Sequence, residues 1–475
     1  MAEVYIDITD LVDFVSAYGN VTGIQRVQER VLYELAQRQD VDRFWCVTIP
    51  EDGHGYRAYR LRDLYAARDS SLFERFGGLA GDQSNGFWPS RKEVKRYLNQ
   101  RGLHGLRRAA CKAGVFARAT FAPSTLATQG ISQPRIQPTD VMPLRFLPAE
   151  ATLVLLGAGW NDPRVADAAI RHAEIGGCVV QCIHDLIPLK HPEYFHGGPR
   201  QSFQAYFDRI VPHVTQFVCI SENTRLDLEE LLAERGISAP AHVLPLAHEF
   251  PGSPRNARGS RPTDERLTAF GSPEHRFLLC VGTLEVRKNG IALLKAWQQL
   301  KGTLGDATPH LVFSGRRGWK IDPFFTLLNA DPWLRSRVKL VSGASDADIA
   351  FLHERSLCSI YPSLYEGWGL PVGEAAWFGR TCITSRESSL PEVCGMLVDY
   401  VDPRNVAEIA ERVRQVVEEP ERLAWRESLI RQAALRTWQD VAAEFSAVIT
   451  GQTAAAADND VKMPTISSLS LPQAA

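Results

Sequence analysis

Two carboxylates, Glu366 and Glu374, stand with seven residues between them in Ser363-Leu-Tyr-Glu-Gly-Trp-Gly-Leu-Pro-Val-Gly-Glu374, spaced by glycines and a proline. Two adjacent cations, Arg287 and Lys288, occur in Gly282-Thr-Leu-Glu-Val-Arg-Lys-Asn289, and a histidine beside an acid in His184-Asp-Leu-Ile-Pro-Leu-Lys-His-Pro-Glu193. An arginine can fork onto two phosphate oxygens while a lysine supplies a point charge, which together suit a diphosphate. A glutamate about one turn into a helix can accept from both hydroxyls of a ribose, as the acid of dinucleotide sites does. A histidine can donate to or accept from a sugar hydroxyl.

These residues need a scaffold that brings them to one place. Ile360 and Tyr361 close a short apolar run that reads as a buried strand. Gly367 to Gly369 make a turn, and Pro371 suits the first turn of a helix carrying Glu374. In open α/β sheets ligands bind beyond the carboxyl ends of strands, where free helix N-terminal amides favour an anion. Glu366 would lie in that crevice. Acids in the first turn of a helix also serve simply to complement its dipole. Near the start, Val4 to Ile8 reads as a strand, followed by a loop to Gly19 and a helix with Ile24, Val27, Val31, Leu32 and Leu35 at helical spacing. Thr22 is a suitable N-cap, and Gly23 at the helix start permits close approach to a diphosphate. Gly315 follows a strand at His310 to Phe313 and is expected to approach the same ligand.

A chain of 475 residues exceeds what one core supports, so two domains are expected. A net charge of -2 argues against a general nucleic-acid binder. The start lacks the basic and apolar regions of a signal peptide, and no apolar run reaches a membrane span, so a cytoplasmic location is expected. The nine cysteines lack paired ligand spacing and read as buried free thiols. After a strand at Phe44 to Ile49, regularity lapses until Ala151 to Leu156. Within that gap residues 91 to 118 carry nine Lys or Arg and one acid, Glu93, among apolar side chains. Such one-signed charge suits docking to an anionic membrane surface, although charge runs also form plain solvated faces. Val243 to Leu246 is expected to close the first domain. Residues 251–275, rich in Pro and Gly, read as a linker. The run Phe277 to Val281 opens a second α/β domain, and residues 453–475 read as a disordered tail.

Glu-Gly-Trp-Gly-Leu-Pro-x-x-Glu closely resembles the E-x7-E signature of retaining glycosyltransferases of family 4, which have the GT-B fold of two doubly wound Rossmann-like domains facing across a cleft. The resemblance implies an acceptor-side domain over 1–250 with an insertion near 60–150, a nucleotide-sugar domain over 276–435 and a crossover helix at 436–452. It implies that Glu366 contacts the donor sugar or its phosphates and that Glu374 holds the nucleotide ribose. Lys288 matches the lysine of the family's Gly-Arg-Leu-x-x-x-Lys, whereas Thr283 replaces its arginine and Arg287 offers a substitute. His-Asp-Leu-x-Pro is similar to first-domain segments of mannosyltransferases in which the histidine reaches the donor sugar, with Asp185 set to orient His184. The implied catalytic set is Glu366, His184, Lys288 and Arg287. Glu374, Gly367, Gly369, Leu370, Gly23 and Gly315 bind the donor. GDP-mannose is the first-choice donor, and a glycan or lipid-linked oligosaccharide the acceptor, in surface polysaccharide assembly. Asp346-Ala-Asp348 reads as acids opening a helix, so neither a metal nor a cofactor is expected. A nucleotide-sugar epimerase or hydrolase of the same fold, or a non-catalytic sugar-nucleotide binder, is the alternative.

Overall fold

The computed structural model describes residues 3–18, 21, 23–50, 53–66, 141–272 and 274–451. The basic stretch 91–118, most of the expected insertion, Thr22 and the tail 453–475 lie outside the described residues.

The first sheet has eight strands: β1 (Val4–Asp7), β2 (Phe44–Thr48), β3 (Tyr56–Arg60), β4 (Met142–Leu144), β5 (Thr152–Leu155), β6 (Cys178–Ile183), β7 (Gln216–Cys219) and β8 (Ala241–Val243). Their order is β4-β3-β2-β1-β5-β6-β7-β8, parallel from β2 to β8, with β3 and β4 antiparallel at one edge. Alternate side chains of β1 serve two cores. Val4 and Ile6 pack with Val27, Val31 and Leu35 of the helix Ile24–Ala36, whereas Tyr5 belongs with Trp45, Val165, Phe203 and Phe207 on the other face. Helices therefore cover both faces, and the strands read as continuous apolar runs.

Two expectations for this domain are corrected. Thr9–Tyr18 is a helix rather than a loop, because Ile8, Leu11, Val12 and Val15 bury one stripe against the sheet. The gap after Ile49 is not wholly irregular: Tyr56–Arg60 folds back on β2, and Met142–Leu144 adds the outermost strand. The last strand is Ala241–Val243, and it ends just as the Val243 to Leu246 run begins. Leu244 still donates to the Cys219 carbonyl at 2.7 Å, and then Pro245 has no N–H to continue the ladder.

The second sheet contains β9 (Phe277–Val281), β10 (His310–Ser314), β11 (Val338–Val341), β12 (Cys358–Tyr361), β13 (Cys382–Ser385) and β14 (Asp399–Val401). Its order is β11-β10-β9-β12-β13-β14 and every pairing is parallel. The order reverses beside β9, placing a topological switch point between β9 and β12, where α/β sheets bind ligands. The segment read as a linker is partly structured: Glu265–Gly271 is a 3-10 helix whose Leu267 and Phe270 pack against Phe277 and Phe351.

Helix Trp438–Ile449 begins on a capping box between Thr437 and Asp440. It returns to the first domain, burying Trp438, Val441, Phe445 and Ile449 with Val27, Val31 and Leu35. Among the described residues no helix is long and apolar enough to cross a membrane.

Candidate functional site

The loop after β9 and the loop after β12 meet at the switch point. Arg287 and Lys288 lie in a short 3-10 turn, Val286–Lys288, which the left-handed Asn289 (φ 59°) ends and joins to the helix Gly290–Leu304. Asn289 is fixed there by donating to the carbonyls of Pro362 and Pro403 at 3.1 and 2.6 Å. Glu366 accepts from Arg287 Nη1 on one oxygen and from Lys288 Nζ on the other, each at 2.5 Å. Arg287 also donates to Glu285 Oε1 at 2.7 Å and to the Tyr365 carbonyl at 2.6 Å. Lys288 donates to the Tyr361 hydroxyl and lies 4.6 Å from the centre of that ring. Burial alone would raise the Glu366 pKa, but Arg287 and Lys288 outweigh it and hold the carboxyl at about 2. The four formal charges of Glu285, Arg287, Lys288 and Glu366 sum to zero. Sequence reasoning passed over Glu285 although it lies inside the quoted motif; its second oxygen is buried without a partner among the described residues.

Glu366 is held on its backbone side by the segment that follows β13. Its N–H donates to Ser388 Oγ at 2.9 Å, and Ser389 Oγ donates to the Glu366 and Trp368 carbonyls, both at 2.9 Å. The Ser388-Ser389 pair thus clamps the loop from both sides. Helix Leu370–Trp377 follows, with Gly369 as N-cap at φ 128° and Pro371 in its first turn. Glu374 points from that helix into the cleft and is buried, with Arg26 Nη1 of the first domain 3.3 Å from Oε1. Burial raises the Glu374 pKa and Arg26 opposes the rise.

Across the cleft, His184 follows β6. Its ring is buried and its Nε2 meets the Leu156 carbonyl at 2.7 Å. Burial lowers its pKa to about 4, so the ring is neutral, donates from Nε2, and keeps Nδ1 as an acceptor. Asp185 does not orient it, contrary to expectation: Asp185 Oδ1 accepts from the Ile187 N–H at 3.1 Å and shapes the following turn instead. The His184 carbonyl would sit 2.0 Å from a Cβ added at Gly367, so Gly367 is where the two domains' backbones meet. Gly315 has a different reason for lacking a side chain. Its Cβ would fall 1.9 Å from the Gly282 carbonyl, so the absent side chain lets the β9 and β10 loops pack together. Gly23 caps the helix Ile24–Ala36 at φ 57° and faces open space.

Residues 266–435 match the family described as Glycosyl transferases group 1. An O-antigen chain mannosyltransferase B of Escherichia coli is 34% identical over 154 residues, 32% of this chain and 38% of that protein. The chain therefore spans well under half the length of this curated relative. Anabaena HepE, solved with UDP, superposes over 95% of this chain and 100% of that chain with a TM-score of 0.54 at 10% identity. WaaG, a glycosyltransferase involved in lipopolysaccharide biosynthesis, does so over 94% and 100% with a TM-score of 0.52 at 14% identity. The fold is GT-B.

Several contacts close this GT-B cleft. Glu392 accepts from the Glu222 and Asn223 N–H groups at 2.6 and 2.9 Å, so a second-domain carboxylate caps the first-domain helix Glu222–Ala233. The Tyr365 hydroxyl donates to Asp227 at 2.6 Å and accepts from Asn223 at 2.9 Å. Trp319 Nε1 donates to the Tyr194 carbonyl at 2.8 Å. None of these contacts was legible in the sequence, because each joins residues more than 120 positions apart whose types carry no chemical signature. Elsewhere, Asp348 is spent on capping its own helix with Ser345 and accepting from Thr263 and Asp264, which hold it well below the usual carboxylate range. The eight cysteines among the described residues are free, and all but Cys178 are buried.

Proposed function

We propose that this chain is a retaining glycosyltransferase of the family 4 type, moving mannose from GDP-mannose to a glycan or lipid-linked glycan in surface polysaccharide synthesis. The observation that carries the reading is the convergence of Arg287, Lys288 and Glu366 at the switch point of the second GT-B domain, with Glu374 on the helix that follows the same loop. Glu374 takes the ribose. Arg287 and Lys288 take the diphosphate, and their charge counts most when the sugar bond breaks and the leaving phosphate gains negative charge. Glu366, already bonded to both cations, sets their positions and meets the sugar end of the donor. His184, on the facing domain, offers Nδ1 as an acceptor to a donor hydroxyl. The acceptor hydroxyl then attacks from the face the leaving group departs, and the leaving phosphate takes its proton. This reading calls for no metal and no cofactor. Mannose as the sugar rests on the likeness to the mannosyltransferase above and on the His-Asp-Leu-x-Pro and Gly-Thr-Leu-Glu-x-Arg-Lys-Asn segments.

The test is product analysis with GDP-mannose, UDP-sugars and dTDP-sugars against a panel of glycan and lipid-linked acceptors, reading anomeric configuration by NMR. Transfer from GDP-mannose with retention is expected. Transfer only from a UDP- or dTDP-sugar would overturn the donor, and inversion would overturn the mechanism. Turnover without an acceptor would favour a hydrolase or epimerase, and binding without any turnover a non-catalytic binder.

A further inference from the structure

Arg26 belongs to the first domain, in the first turn of Ile24–Ala36, yet its guanidinium reaches Glu374 Oε1 of the second at 3.3 Å. It is the ion-pair partner of Glu374 among the described residues. Its seat is fixed: the guanidinium lies over the Phe250 ring, 4.8 Å from the centre, and its side chain is 15% exposed. Its second terminal nitrogen is buried with no partner among the described residues, which leaves one donor spare beside the carboxylate.

Glu374 is 3% exposed, and a buried carboxylate stays charged only if something offsets its lost hydration. The charge decides what it can bind. An ionised carboxylate is acceptor-only, with about two lone-pair positions on each oxygen, so Oε1 can keep Arg26 while both oxygens accept from a vicinal diol. A protonated carboxyl carries a hydrogen where a hydroxyl hydrogen must go. The groups facing Glu374 differ in sign. Arg26 favours ionisation, and Asp346, opening the helix Asp346–Arg355, opposes it. His248, whose backbone packs on Gly373, is neutral, donating from Nε2 to the Val393 carbonyl at 2.6 Å and accepting from the Arg436 N–H at 3.0 Å.

We propose that Arg26 is a positioning residue for the nucleotide, supplied by the opposite domain: it keeps the Glu374 carboxylate charged and aimed so that both oxygens accept from the ribose hydroxyls. The proposal rests on Glu374 holding the ribose. It makes ribose recognition depend on the closed cleft, because the residue that prepares the carboxylate sits on the other domain. The net Glu374 shift is upward, from burial first and Asp346 after it, and Arg26 is the group that opposes it.

The test compares the full-length protein with Arg26→Gln, Arg26→Lys and Glu374→Gln variants, titrated calorimetrically with GDP, UDP and their 2′,3′-dideoxy counterparts from about pH 6 to about pH 9. The wild type should prefer the ribonucleotide about tenfold or more, with little change across that range. Glu374→Gln should lose the preference at every pH. Arg26→Gln should weaken it, most at the acid end, because the buried Glu374 then lacks the cation that opposes its raised pKa. Arg26→Lys should behave as wild type. If Glu374→Gln keeps the preference, or neither nucleotide binds the wild type, the ribose reading fails and this proposal with it. If Glu374→Gln loses the preference and Arg26→Gln matches wild type throughout, the ribose reading stands and this proposal falls. Tighter ribonucleotide binding by Arg26→Gln would also overturn it, by showing that Arg26 competes with the diol. Dideoxy affinity is the internal control: its loss in Arg26→Gln would assign the residue to closure of the cleft instead.

Discussion

Replacing Glu366 with Gln removes one charge from a cluster that is neutral, and the structure fixes which partner suffers. Arg287 keeps Glu285 at 2.7 Å and the Tyr365 carbonyl at 2.6 Å. Lys288 keeps only the Tyr361 hydroxyl and ring among the partners described, so a buried ammonium loses its counter-ion. Breaking a buried pair by removing one partner costs about 3–5 kcal/mol, and the surviving Glu285 puts this case near about 3 kcal/mol. The unliganded protein should therefore melt lower by roughly 3 °C, at about 1 °C per kcal/mol for a chain of 475 residues. Nucleotide binding should move the other way. The cluster now carries one net positive charge, and at about 6 Å with an effective dielectric near 20 a unit charge attracts a phosphate charge by about 3 kcal/mol. GDP should bind tighter, its stabilisation of the variant should exceed that of wild type, and turnover should fall because Glu366 no longer places the cations. Thermal melts with and without GDP, and calorimetry, read all of this. An unchanged melting temperature would refute the ion-cluster argument. A lower one with unchanged or weaker binding of both GDP and UDP would show that the cluster does not face the diphosphate.

Lys288→Ala should lower kcat by about 2–4 kcal/mol of transition-state stabilisation, measured at saturating donor, with a smaller effect on donor affinity. An equal kcat in that variant would remove Lys288 from the leaving-group role. The basic stretch 91–118, outside the described residues, should bind anionic vesicles, with each engaged cation adding about 1 kcal/mol and binding weakening as salt rises. Cosedimentation of wild type and an Arg107→Glu, Arg108→Glu variant with anionic and neutral vesicles checks it, and equal partitioning to both kinds would leave the stretch a solvated face.

The sequence by itself determined what local chemistry dictates. Phe277–Val281 and Cys358–Tyr361 are strands over the residues their runs mark, because a parallel strand covered on both faces has no polar side to blur the signal. Pro371 in the first helical turn and the glycines before it fixed where Leu370–Trp377 begins. The motifs also brought Glu366, Arg287, Lys288 and Glu374 to notice as types and spacings. Short, half-exposed strands such as Met142–Leu144 escaped, since three residues at a sheet edge carry too little pattern, and only pairing with Tyr56–Ala58 makes them a strand.

What the tertiary structure alone decided is which partner each charge has. The quoted string does not say that Glu366 bonds both cations, that Glu285 shares Arg287, or that His184 spends its Nε2 on the Leu156 carbonyl rather than on Asp185. Nor does it say that Arg26 meets Glu374, or that Glu392 caps a helix of the other domain. Hydrogen bonds and ion pairs act over a few ångströms in space, and only chain folding and closure of the cleft bring residues this far apart in sequence within that range.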